Sequence, residues 1–160
     1  MVTLCDICQD QVDERDLVGS WPHWHPVVNF SQNYLGKVML VLKRHETDVT
    51  QLTSAEQAEF WQLLRLVKEA LSKLFQPNHF NYAFLMNQDS HVHLHVIPRY
   101  AKSREFAGKV FTDGRLGDHY QLTRNLVSPE VRQRSSTPSL ETNPSPQLYL
   151  KKRRNRGATR

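Results

Sequence analysis

A single domain that combines short β-strands with one long amphipathic helix is the fold class the sequence predicts. Three observations lead there. Apolar residues recur at helical spacing through residues 54–75. Two apolar runs precede that stretch, and two more follow it around a polar turn. The chain has 160 residues, which suits one domain rather than two.

Residues 26–30, PVVNF, and 36–42, GKVMLVL, read as strands separated by the polar turn SQNYL. KRHETDVTQL then reads as a loop. Thr53, with Glu56 three residues later, is a capping-box signature, and an apolar run follows it. Phe60, Leu63, Leu64, Val67, Leu71 and Leu74 form the stripe of that helix, which is read as core. Residues 80–86, FNYAFLM, and 91–98, HVHLHVIP, read as a hairpin closed by NQDS. Pro98 should end the pairing or sit at an edge, because it has no N–H to donate. The charge-rich stretch 101–126 carries no assignment. From about Arg132 the composition turns to Ser, Thr and Pro without apolar period, so residues 1–131 are read as the domain and 132–160 as a disordered tail.

Charge is unevenly placed. The formal net charge is +5, but six of the 21 Lys and Arg fall in the last ten residues, KKRRNRGATR. The first 150 residues are therefore close to neutral, at about −1. The basic run could bind nucleic acid or another polyanion, although with no interleaved aromatics beyond Tyr149 it is read as a solvated tail. The start of the chain lacks the basic and apolar regions of a secretory signal. No apolar run approaches the roughly 20 residues that span a bilayer. The expectation is a soluble, cytoplasmic protein with no membrane contact. Its two cysteines, Cys5 and Cys8, form a CxxC too close to one end to staple a fold, so they read as metal ligands or a redox pair in a reducing compartment.

The chemistry centres on His91-Val92-His93-Leu94-His95-Val96-Ile97. Side chains alternate across a strand, so the three histidines share one face and Val92, Leu94 and Val96 share the other. Three imidazoles in a row are hard to justify as packing, because each carries two nitrogens that need partners. The row could bind a metal. It could equally perform covalent catalysis at phosphorus, with one imidazole as nucleophile and its neighbours donating to the oxygens where charge builds up. Spacing alone does not choose between these. His23 and His25, in WPHWHP, are further candidate ligands, interleaved with two tryptophans.

HVHLHVI matches at all seven positions the His-φ-His-φ-His-φ-φ signature, with φ apolar, of the histidine-triad (HIT) superfamily of nucleotide hydrolases and transferases. GKVMLVLKRH at 36–45 and DVTQLTSAEQAEF extend the resemblance, which covers roughly residues 3–126. The resemblance implies an α+β domain with an antiparallel sheet, paired into a homodimer. It implies that His93 attacks the α-phosphorus and that water then releases a nucleoside monophosphate, while His95 hydrogen-bonds the phosphate. Transferase branches carry Gln at the third position, so His95 favours hydrolysis. The substrates implied are dinucleoside polyphosphates or nucleoside phosphoramidates. A nucleotidyltransferase or phosphorylase is the alternative, or a binding module without turnover. Asn29 matches a position that contacts ribose, and Asn87 one near the phosphates. The family's loop before the triad is often longer and carries a Gly-Gln-Ser/Thr-like segment, for which Ser90 is the stand-in. Some members hold a structural zinc with two N-terminal cysteines, the histidine after the second strand and the first histidine of the triad, which here implies Cys5, Cys8, His45 and His91 as its ligands and leaves His93 and His95 for chemistry.

Overall fold

The computed structural model describes residues 5–9, 12 and 16–121. The tail expected beyond 131, with its basic run, lies outside the described residues. A short helix α1 (Asp6–Gln9) opens the fold, followed by β1 (Trp24–Val28), β2 (Val38–Leu42), α2 (Ser54–Phe75), β3 (His79–Ala83), β4 (His93–Arg99), β5 (Arg104–Phe106) and β6 (Lys109–Phe111). The first four strands form one antiparallel sheet in the order β1-β2-β4-β3. None of the described helices is long and apolar enough to cross a membrane.

Helix α2 starts where its capping box sets it. Thr53 Oγ1 accepts from the Glu56 backbone N–H, and the Thr53 N–H donates to Glu56 Oε2 at 2.7 Å. This satisfies two N–H groups that the helix itself leaves unpaired. The buried stripe is Phe60, Leu63, Val67, Leu71 and Phe75. It packs on the sheet face made by Trp24, Val38, Leu40, Leu42, Val92, Leu94 and Val96. Leu64 is only partly buried. Leu74, expected in the stripe, is exposed, and its neighbour Phe75 takes the core position. Gly36 makes room for Phe75: it has φ +78, and a Cβ there would lie 2.7 Å from the ring.

All four expected strands shift their bounds: β1 is Trp24–Val28 rather than 26–30, β2 starts at Val38 rather than Gly36, and β4 starts at His93 rather than His91. Two further differences have identifiable reasons. The hairpin does not close at NQDS, because β3 ends at Ala83 and residues 84–92 leave the ladder. Phe84 and Met86 turn in to pack against the core, and Met86 takes φ +48, which no strand permits. Pro98 stays inside β4, paired with Phe80 of β3. The β2 ladder has ended by then, at Val38 opposite Val96, so the missing N–H is not needed on that side.

The unassigned stretch after 101 forms the β5–β6 hairpin, with Ala107 at φ +50 and Gly108 at φ +72 in its two-residue turn. It and the segment after it are tied to the sheet by Arg99. That buried guanidinium grips Asp113 through Nε at 2.7 Å and Nη2 at 3.1 Å. It also donates to Asn81 Oδ1 and to the Arg115 and Asp118 carbonyls, so its charge is paired and its donors are used.

Candidate functional site

The face of the sheet turned away from α2 carries the site. Alternation from the paired register puts Val27 opposite Met39, Met39 opposite His95, and Val41 opposite His93. Val27, Asn29, Lys37, Met39, Val41, His93 and His95 all line one cavity of about 590 Å³. Asp6 and Ile7 of α1 and the loop residues Leu85 to Asp89 complete its wall.

The three histidines occupy different environments. His91 lies just before β4 and is almost fully buried. Its Nε2 donates to the Leu42 carbonyl at 2.7 Å, which leaves Nδ1 deprotonated when the ring is neutral. Burial, first of several causes, holds its pKa below the usual histidine value. His93 donates from Nδ1 to the His91 carbonyl at 2.8 Å, so its lone pair is carried by Nε2. His95 stands edge-on to His93, with ring centroids 4.9 Å apart. Burial, then the neighbouring His93 and Lys37, pushes the His95 pKa down to about 4. His95 is therefore neutral at pH 7, and its buried Nδ1 has no partner among the described residues.

The free Nδ1 of His91 points to a second cluster. Cys5 Sγ and Cys8 Sγ each lie 3.4 Å from it and 3.4 and 3.5 Å from His45 Nδ1. All four ligand atoms fall within 4.8 Å of one another, so Cys5, Cys8, His45 and His91 form a metal site. The spacing fits zinc. Bonds of about 2.3 Å to sulfur and 2.0–2.1 Å to nitrogen at the tetrahedral angle give a sulfur–nitrogen edge of about 3.5 Å. Two thiolates and two imidazoles also close the coordination shell, as structural zinc requires. Cys5 beside it is the main cause that raises the Cys8 thiol pKa, a crowding of sulfurs that a bound cation relieves. Helix α1 has no buried residue of its own, so the cluster is what can dock it on the sheet. His23 and His25 stay outside the cluster. His23 faces Glu59 from a half-exposed position, and His25 sits in β1 opposite Val41.

The remaining expected site residues are distributed unevenly. Asn29 is buried in the cavity wall, where its Oδ1 accepts from the Ser31 N–H at 2.8 Å and its side-chain amide remains to donate. Asn87 lines the cavity from an exposed position on the loop. Ser90 is exposed and is not among the lining residues. Sequence reasoning missed Lys37, which is buried in the cavity wall. The signal was present, since a strict alternation through GKVMLVL puts Lys37 on the face of Met39 and Val41.

Two histidines in β4 and a third just before it, with a cavity over the second and third, define the class of histidine-triad domains. The profile of the HIT domain family matches residues 12–102, more than half of the chain, and the protein belongs to that family. No curated protein sequence matches the chain. Among solved structures, the chain resembles a diadenosine triphosphate hydrolase from Plasmodium falciparum at 18% identity, with 78% of this chain and 74% of that one covered and a TM-score of 0.58. A HIT family protein from Bacillus anthracis is 24% identical over 64% of this chain and 77% of its own, with a TM-score of 0.54. A zinc-bound histidine-triad family protein from Mycobacterium smegmatis is 16% identical over 75% of this chain and 82% of its own, with a TM-score of 0.51.

Proposed function

We propose that the protein is a hydrolase that cleaves the α-phosphate linkage of nucleoside phosphate conjugates through a nucleotidyl-histidine intermediate. The observation that carries this reading is the hydrogen bond from His93 Nδ1 to the His91 carbonyl, which fixes the tautomer and leaves Nε2 nucleophilic on the cavity side of the sheet. The Nε2 lone pair attacks the α-phosphorus and forms an N–P bond. The bond to the leaving group breaks, and its electron pair goes to the leaving oxygen or nitrogen, which is protonated from solvent. Neutral His95 beside it donates to a nonbridging oxygen of the phosphoryl group. Water then attacks phosphorus, and the N–P bond breaks to release the nucleoside monophosphate and regenerate His93.

Asn29 and Asn87, both in the cavity wall, are the proposed contacts to the nucleotide. Ser90, exposed and outside the lining, is the weaker candidate for assisting the leaving group. Cys5, Cys8, His45 and His91 hold a structural zinc, away from the reacting atoms. The family homodimer and a cytoplasmic location belong to the same reading, and the first is checked by light scattering. Likeness to a diadenosine triphosphate hydrolase supports a dinucleoside polyphosphate as the first substrate to try.

The test is a screen of purified protein against dinucleoside polyphosphates and nucleoside phosphoramidates. His93→Ala should lower turnover by about a thousandfold or more, while tenfold, about 1.4 kcal/mol of barrier, would be too little for a nucleophile. Rapid quench of the wild type with labelled substrate should trap an acid-labile adduct. Phosphate-dependent release of a nucleoside diphosphate would instead identify a phosphorylase.

A further inference from the structure

Lys37 is an anomaly in the cavity wall. It is 4% exposed, although a lysine is almost never buried without a partner. Among the described residues no carboxylate forms an ion pair with it, and burial alone accounts for the lowering of its pKa. Its position is fixed from both sides of the chain: the Asn29 N–H donates to the Lys37 carbonyl at 3.0 Å, and the next residue, Val38, starts β2. Its charge acts on His95, whose pKa it helps to depress. His95 in turn has a buried Nδ1 with no partner among the described residues. Lys37 and His95, each with a polar group that has no partner among the described residues, thus line the same cavity and feel each other's charge.

The rest of the wall makes this a local arrangement. Asp6, Asp16 and Asp89 also line the cavity, and Lys37 is the sole Lys or Arg among the described lining residues. Among the described lining residues, Lys37 therefore supplies the positive charge that an anion in this cavity would seek. We propose that Lys37 is a phosphate-binding residue, whose ammonium holds a nonbridging phosphoryl oxygen of the nucleotide next to His95. A buried cation of this kind costs stability in the empty protein and recovers it when an anion binds, the usual exchange at a functional site. The assignment rests on reading the cavity as a nucleotide site, but it makes its own demands on binding.

The test compares AMP, adenosine and inorganic phosphate as probes by calorimetric titration, with thermal melts of the zinc-loaded protein alongside. Wild type should bind AMP at least tenfold more tightly than adenosine. Lys37→Met, which matches the length of the stem without the charge, should lose that preference while its adenosine affinity stays within twofold. Lys37→Arg should keep most of it. The Lys37→Met protein without ligand should melt at or above the wild-type temperature, since an unpaired buried charge has been removed, and the rise in melting temperature that AMP gives wild type should shrink. If inorganic phosphate alone reproduces the Lys37-dependent stabilisation, the residue serves a free phosphate rather than the nucleotide, and the assignment to a nucleotide oxygen falls. Equal AMP affinity in wild type and Lys37→Met, or no preference for AMP over adenosine in wild type, overturns the proposal. These outcomes are independent of turnover: a protein that binds AMP through Lys37 but hydrolyses nothing would refute the hydrolase reading and leave this one standing.

Discussion

Removing the metal should damage the cavity over His93 and His95 as well as the fold, because the short helix that carries Cys8 serves both. Helix α1 is held internally by the Cys8 and Gln9 N–H groups donating to the Cys5 carbonyl, and it buries no side chain. Such a piece is far below the length that is stable alone in water. Without a metal joining Cys5 and Cys8 to His45 and His91, α1 should undock and take Asp6 and Ile7 out of the cavity wall. The main core does not depend on it, since the sheet–helix cluster contains no residue of α1. Chelation should therefore destabilise rather than unfold. At free zinc a hundred to a thousand times its dissociation constant, linkage gives about 2.7–4.1 kcal/mol of stabilisation. For a domain of this size each kcal/mol shifts the melting temperature by roughly 4 °C, so loss of zinc should lower it by about 11–16 °C. The assay is a thermal melt and a kinetic run on protein whose zinc content is measured in parallel, before and after chelation and for Cys5→Ser with Cys8→Ser. KM should rise more than kcat falls, because the wall is lost before the nucleophile. Zinc-free protein that melts within about 2 °C of the loaded form, with unchanged KM, would refute the reasoning.

Three further outcomes follow from the same structure. Gly36→Ala forces an ordinary residue to φ +78 and pushes its methyl into the Phe75 ring, so urea denaturation should show a loss of about 2–4 kcal/mol. Glu56→Gln breaks the pair with Arg44 Nε at 2.6 Å that, more than any other contact, holds the Glu56 pKa down at about 2. Because that value lies below the unfolded one, the carboxylate stabilises the fold fully above about pH 4.5 and progressively less as pH falls toward 2. The variant should therefore be less stable than wild type by about 1–2 kcal/mol at pH 7, with the gap closing below pH 4.5. A chain ending near Gln133 should hydrolyse small conjugates at close to the full-length rate, and only binding to polyanions, which should also fall steeply with added salt, should weaken.

Local rules carried the sequence reading furthest where one element decides its own fate. Thr53 and Glu56 cap α2 through contacts made within four residues, so the helix was legible to the residue. Its stripe was misread only at the end, where Leu74 and Phe75 compete for one core position and the answer depends on the space beside Gly36. The hairpin failed for a tertiary reason: NQDS is good turn chemistry, but burying Phe84 and Met86 pulls the chain off the ladder before it reaches those residues. The metal ligands were legible through the resemblance and not through spacing, since Cys5 and His91 lie 86 residues apart. The alternation of GKVMLVL already put Lys37 on the face of Met39 and Val41, but its place in the cavity with His95 appears only once the register sets β2 against β4.

The histidine row looks like three equivalent side chains in the sequence, and the structure makes them unequal through one residue. His91 uses its carbonyl to fix the tautomer of His93, its Nε2 to bond the Leu42 carbonyl, and its Nδ1 to face the cysteines. The first two contacts need only a buried ring and an intact backbone, and the third needs a metal. Metal loss thus leaves the nucleophile's hydrogen bond in place as long as the Leu42 bond holds His91 where it is. Oriented this way, the first histidine of the row separates two jobs: its carbonyl orients His93, the proposed nucleophile, and its outer nitrogen faces the metal cluster. If His93 acts as proposed, it keeps its orientation when the wall built by α1 is lost, so the effect of metal removal should fall first on KM.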